Sequence, residues 1–111
     1  MSHRIVLDVQ TMDGPTERRE FQQPKVAVGA DPANDIVVTN RRRPDGIGYV
    51  NCSRRHGMFE VRDNDLVLHD MGTANGWHMT SRGPLRENAF RLSVGESYYV
   101  GDTKITIVSY E

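Results

Sequence analysis

Cys52 is the only cysteine among the 111 residues, so no internal disulfide can form, and this usage is that of a reducing, intracellular compartment. The N-terminal region lacks the basic stretch, apolar run and small-residue cleavage site of a secretory leader. Nowhere does an apolar run approach the roughly 18 residues that a membrane span needs. A cytoplasmic chain without membrane insertion is the expectation. Internal repeats and low-complexity tracts are also missing, which sets aside solenoids and disordered linkers. Almost no window supports a helix: residues 30–35 hold at most one helical turn, and residues 82–89 are interrupted by Gly83 and Pro84.

What is present suits one globular unit. Apolar residues make up 37% and charged residues 26%, which is polar for a folded protein but well clear of the disordered class. The chain reads as a single domain, 1–111, with a modest core and generous loops. Its short N-terminus and abrupt end at Glu111 fit a module excised from a larger protein or a small stand-alone one. The net charge of -1 argues against binding nucleic acid through bulk positive potential. Local charge differs, because Arg41, Arg42, Arg43, Arg54 and Arg55 are opposed only by Asp45, giving about +4 over that stretch.

Short β-like runs dominate. They cover residues 4–9, 25–28, 36–39, 57–61, 66–69, 76–79, 90–92, 97–100 and 104–110, and the last sets Ile105, Ile107 and Ser109 against Lys104, Thr106 and Val108. Turn signals separate them at Asp13-Gly14-Pro15, Asp31-Pro32, Pro44-Asp45-Gly46, Asp63-Asn64-Asp65, Asn75-Gly76, Gly83-Pro84 and Gly101-Asp102. The pattern predicts an all-β sandwich or barrel. The connection 40–51 is long and holds three arginines with Pro44, Gly46 and Gly48, and connections of this length are commonly functional.

Two loop sequences carry chemistry. In Ser53-Arg54-Arg55-His56, a hydroxyl, backbone N–H groups and two guanidinium forks are the parts that suit a phosphate ester, although an ordinary loop leading into a strand has the same composition. In residues 70–77, Gly72 and Gly76 permit unusual backbone shapes, while Thr73 and Asn75 offer short polar groups to a passing main chain. A plain turn with an Asn-Gly corner is the alternative. Ser53, His56 and Asp70 do not form a nucleophile elbow. The spacings of Cys52, His56, His69 and His78 match no zinc pattern, so neither an enzyme nor a metal or other cofactor is expected. The arginine cluster has no interleaved aromatic platform for nucleic acid, and Trp77 reads as a packing residue.

Taken in order, Gly29, Asn34-Asp35-Ile36-Val37-Val38, Ser53-x-x-His56, Leu66-x-Leu68-x-Asp70-Met71-Gly72-Thr73-x-Asn75-Gly76, Leu92-x-Val94-Gly95 and Val100-Gly101-Asp102 make the chain resemble a forkhead-associated domain. The resemblance covers about residues 25–110. It implies an all-β sandwich of about eleven mostly antiparallel strands, with loops at one end that bind phosphothreonine peptides. It implies that Ser53 holds phosphate, that Asn75 holds the ligand backbone, that His56 braces the loops, and that Gly29 and Gly76 are shape residues.

Two positions depart from the family pattern: Ala30 stands where an arginine usually grips the phosphate, and Ala74 where a hydroxyl often assists. A charge-assisted hydrogen bond contributes roughly 1.5–3 kcal/mol, so one missing arginine contact weakens binding by about ten- to 150-fold. The expectation is that Arg41, Arg42 and Arg43, beside Arg54 and Arg55, supply the missing charge; a solvated patch or a contact for an acidic partner surface is the plainer account of the same arginines. The implied function is a protein–protein interaction module for a threonine-phosphorylated or acidic protein segment, with Ser53, Arg54, Arg55, Thr73, Asn75 and Arg41–Arg43 as candidate contacts. The alternative is a scaffold that docks a protein partner without phosphate.

Overall fold

The computed structural model describes residues 3–11, 14–39, 52–71, 77–79, 83–85 and 89–111, with the backbone alone at 78–79 and 83–85. Eleven strands and no helix lie among these residues. They are β1 (Ile5–Thr11), β2 (Glu17–Phe21), β3 (Lys25–Gly29), β4 (Ile36–Val37), β5 (Gly57–Arg62), β6 (Asp65–Asp70), β7 (Trp77–Met79), β8 (Gly83–Leu85), β9 (Ala89–Leu92), β10 (Ser97–Val100) and β11 (Thr103–Tyr110). Two sheets form, β2-β1-β11-β10-β7-β8 and β4-β3-β5-β6-β9, so the architecture is a sandwich and not a barrel. Among the described strand pairs only β3 and β4 run parallel.

Alternation places the core. Ile5, Leu7 and Val9 of β1 and Ile105 and Ile107 of β11 face Val26 and Val28 of β3, Phe59 and Val61 of β5, and Leu66 and Leu68 of β6, all of them buried. Most of their neighbours in sequence are more exposed, as a period of two requires, with Val6 the exception in β1: it is buried where the pairing with β11 shifts register between Val6 and Leu7. Ser109, grouped above with the inward residues of β11, is only half-buried. Trp77 is fully buried and meets the His56 ring edge-on at a centroid distance of 4.8 Å. Its second aromatic neighbour is Phe59, at 6.0 Å.

Two strands fall outside the sequence expectation, and both are edges. β2 has no buried face to alternate: its Glu17-Arg18-Arg19-Glu20-Phe21 run is held by β1 pairing and by a two-point contact from Arg18 to Asp8 at 2.9 and 3.2 Å. Charged edges of this kind discourage pairing with other chains. β8 contains the Gly83-Pro84 pair that reads as a turn, yet this segment pairs antiparallel with β7 at the sheet margin, where proline's missing N–H is tolerated. β4 is shorter than its 36–39 run, although Val38 still donates to the Gly29 carbonyl at 2.9 Å. The turn in residues 30–35 closes with a single Asn34 N–H bond to the Asp31 carbonyl at 3.1 Å.

Tight turns set the register at the hairpins. Asp63, at φ +57°, joins β5 to β6, and Gly101, at φ +55°, joins β10 to β11. At Gly101 a Cβ would lie 2.3 Å from the Thr39 carbonyl oxygen, so this turn is pressed against the chain that leads into the 40–51 connection.

The burial of Trp77 between the sheets predicts a large effect of truncation. Trp77→Ala is expected to cost about 3–5 kcal/mol, a fifth or more of a typical domain's stability of about 5–15 kcal/mol. Urea unfolding followed by circular dichroism measures it.

Candidate functional site

Gly29 ends β3 at the point where two loops meet. A Cβ there would lie 2.2 Å from the Arg54 carbonyl oxygen and 2.8 Å from Asn34 Nδ2. The bare Cα admits the Ser53–His56 loop against the strand. Ala30 then donates its N–H to the Ser53 carbonyl at 3.0 Å, and Asp31 donates to the Arg54 carbonyl at 3.1 Å. Asn34 closes the junction, its side-chain amide donating to the carbonyls of Asp31 and Arg54, each at 2.8 Å. Both acceptor directions of the Arg54 carbonyl are thereby engaged.

Asp31 adds a second tie. One carboxylate oxygen accepts from the Ala33 N–H at 2.9 Å, a local Asx turn, and the other accepts from Arg54 Nη2 at 2.9 Å. The Ala33 N–H and then the Arg54 guanidinium hold the Asp31 carboxyl below its usual range, with Arg55 a lesser influence. Arg54 is largely solvent-exposed, so this pair is worth little as bulk stability; its effect is on where the loop points.

His56 is fully buried beneath these contacts. Its Nδ1 accepts from the Ser53 N–H at 3.0 Å, which assigns the ring proton to Nε2. Its own N–H donates to the Val28 carbonyl at 2.9 Å, and its carbonyl accepts from the Met71 N–H at 3.1 Å. One residue thus joins β3, the Ser53 loop and the start of the connection after β6. Because Nδ1 is occupied by a backbone N–H, this edge of the ring does not serve the Ser53 hydroxyl as a base.

Four of the residues singled out in sequence therefore meet at one end of the sandwich: Gly29, Ser53, Arg54 and His56. Arg55 is exposed beside them and makes no ion pair or hydrogen bond among the described residues. The half-buried Ser53 hydroxyl likewise has no hydrogen-bond partner among the described residues. Ala30 is half-buried and packs against the core. Arg41, Arg42, Arg43, Thr73, Ala74, Asn75 and Gly76 lie outside the described residues. His69 belongs to the outer sheet face, bonded to Glu60 at 2.8 Å; no metal-holding cluster exists among the described residues.

Sequence reasoning missed the roles of Asp31, Asn34 and Asp102. The signal at Asp31 was its place before Pro32, which reads as a turn without revealing the partner at Arg54. Asp102 is buried and accepts from the Thr39 N–H and hydroxyl, while its own N–H donates to the Thr39 carbonyl at 3.0 Å. Cys52 lies near the same carboxylate: burial first, and Asp102 second, push its thiol up to about 12. The residue just before the 40–51 connection, Thr39, is therefore tied to Asp102.

The sequence model of the FHA domain family matches residues 26–101. The chain belongs to the FHA domain family. It is 26% identical over 98 residues to an oxoglutarate dehydrogenase inhibitor of Corynebacterium glutamicum, an alignment covering 86% of this chain. The chain spans 60% of the length of that curated relative. Among solved structures, the FHA domain of the CT664 protein of Chlamydia trachomatis aligns with a TM-score of 0.72 at 24% identity, covering 97% of this chain and 99% of that one. EmbR of Mycobacterium tuberculosis, in complex with a low-affinity phosphopeptide, aligns at 0.70 and 19% identity, covering 94% of this chain and 24% of that one. These structural likenesses establish the FHA sandwich. FHA domains are interaction modules, not enzymes.

The lowered pKa of Asp31 gives the loop tie a pH window. The carboxylate partners stabilise the folded loop above the ordinary aspartate pKa of about 3.9 and are lost as pH falls through the lower folded value. Carboxyl NMR is expected to place the Asp31 midpoint below that of an exposed aspartate, and Arg54→Ala is expected to raise it.

Proposed function

We propose that the loop end built from residues 30–34 and 53–56 reads a threonine-phosphorylated segment of a partner protein. The observation that carries this reading is the presence of two groups without a hydrogen-bond partner among the described residues, the Ser53 hydroxyl and the Arg55 guanidinium, on loops where the side chains of Asp31, Asn34, Arg54 and His56 are bonded. A phosphothreonine brings a charge of about −1.5 to −2 with three acceptor oxygens, and a hydroxyl with a guanidinium is a donor set for it. Arg54, drawn to Asp31, holds the loop in shape. Arg41, Arg42 and Arg43 add positive charge from the 40–51 connection, and Thr73 and Asn75 hold the ligand main chain, in keeping with the family pattern. Membership of the FHA domain family and the phosphopeptide bound by EmbR support the ligand class.

Ala30 limits the affinity. Its N–H already bonds to Ser53, so a long cationic side chain at this position would start beside the serine. Without it, the phosphate has fewer cations in reach, and recognition is weaker than an arginine at position 30 would allow.

A titration with a phosphothreonine peptide library and its unphosphorylated twin, at two salt concentrations, tests the reading. Phosphate-dependent binding that weakens with salt is expected. Arg55→Ala should reduce it by about tenfold, and Ala30→Arg should raise it by about ten- to 150-fold. Equal binding of both libraries would refute the phosphate reading in favour of phosphate-independent docking.

A further inference from the structure

The bond between Asp31 and Arg54 is built to be released. Asp8 and Arg18, on β1 and β2, meet at two points, 2.9 and 3.2 Å, through both carboxylate oxygens. Asp31 offers its arginine only one. Its Oδ1 is taken by the Ala33 N–H at 2.9 Å, so Oδ2 alone receives Arg54, through Nη2 at 2.9 Å. A guanidinium held at one nitrogen keeps its other donors for a second acceptor. The Arg54 side chain is also 85% exposed, so water competes at the pair and the bond is weak.

The loop backbone has other supports. The Arg54 carbonyl is fixed by the Asp31 N–H and the Asn34 amide, and the Ser53 carbonyl by the Ala30 N–H. The Arg54 side chain can therefore leave Asp31 while the backbone that carries Ser53 stays in place. An acceptor with more charge and more oxygens than a half-occupied carboxylate would draw it away. A phosphothreonine brings about −1.5 to −2 and three acceptor oxygens, and Ala30 gives it no cation. At neutral pH Asp31 is ionised, since the Ala33 N–H and then Arg54 hold its carboxyl below the usual range. Asp31 and Arg55 line one cavity, so the carboxylate stands where the anion is to arrive.

We propose that Asp31 is an internal competitor of the phosphate, occupying Arg54 in the unbound domain and surrendering it when a phosphothreonine binds. The proposal rests on the phosphopeptide reading and adds to it a residue that sets its affinity. Before binding, the Asp31 carboxylate neutralises Arg54. After binding, the Arg54 guanidinium bonds to the phosphate, and Asp31 keeps only its turn bond to Ala33 and water. The two adjacent arginines thus differ in cost: Arg55 meets the phosphate directly, and Arg54 only after a carboxylate has been displaced. Affinity is held below what the same cations would give unopposed.

Two substitutions isolate the charge. Asp31→Asn keeps an oxygen for the Ala33 N–H, and Asp31→Ser keeps one without adding an amide donor. Each is titrated by fluorescence polarisation, alone and combined with Arg54→Ala, against the tightest phosphothreonine peptide of the library and its unphosphorylated twin, with thermal melts to confirm folding. Each Asp31 substitution is expected to tighten phosphopeptide binding by about two- to fivefold. That gain should vanish in the Arg54→Ala background, the mark of coupling between the two side chains. A gain of equal size without Arg54 means that Asp31 acts through its field alone and overturns the competition. Absence of any gain in both folded variants overturns it as well, while phosphate dependence stands. Equal binding of the phosphorylated and unphosphorylated peptides by the unaltered chain overturns the phosphopeptide reading, and this proposal with it.

Discussion

Two donors converge on the carbonyl oxygen of Arg54, the Asp31 N–H and the Asn34 amide, and the loop end is organised outward from that point. The approach is open only because position 29 has no Cβ, which would lie 2.2 Å from this same oxygen. Once the carbonyl is fixed, the Arg54 side chain is set within reach of Asp31 and the Ser53 carbonyl takes the Ala30 N–H. Loop residues ordinarily give up conformational entropy to be held like this; here most of that ordering is done by backbone and amide bonds, before any ligand arrives.

The junction is coupled to the core through His56. Its ring is buried between the Ser53 N–H and the edge of Trp77, so the recognition loops and the inter-sheet packing share a residue. Gly57 makes this possible, since a Cβ there would lie 2.5 Å from the Trp77 ring. A change in how Trp77 packs therefore reaches Ser53 through a single imidazole. Functional groups placed on such a short path to a rigid core are more exactly positioned than groups on a free loop.

Much of the fold was legible because its inner strands obey a period of two, and β1, β3, β5, β6 and β11 each carry that alternation in plain view. β2 and β8 were not legible, since an edge strand with no buried face leaves no periodic trace, and Pro84 signals a turn by every local rule. Ser53 and His56 could be found from their motif. What the motif could not give was direction: Arg54 and Arg55 are adjacent and chemically identical, and the position of Asp31 tells that, among the described residues, it is Arg54 that is engaged.

Charge at the described loop end explains why the 40–51 connection matters to the phosphate reading. Arg54 and Arg55 contribute two positive charges and Asp31 removes one, which leaves one against a phosphothreonine of about −1.5 to −2. With Ala30 in place of a cation, the balance has to come from elsewhere on the same end of the sandwich. Arg41, Arg42 and Arg43 belong to the 40–51 connection, and Thr39, just before it, is bonded to Asp102. A buried carboxylate thus fixes the described residue that precedes the arginine-bearing segment. Under the phosphate reading proposed above, the charge missing at position 30 would come from that arginine-rich connection.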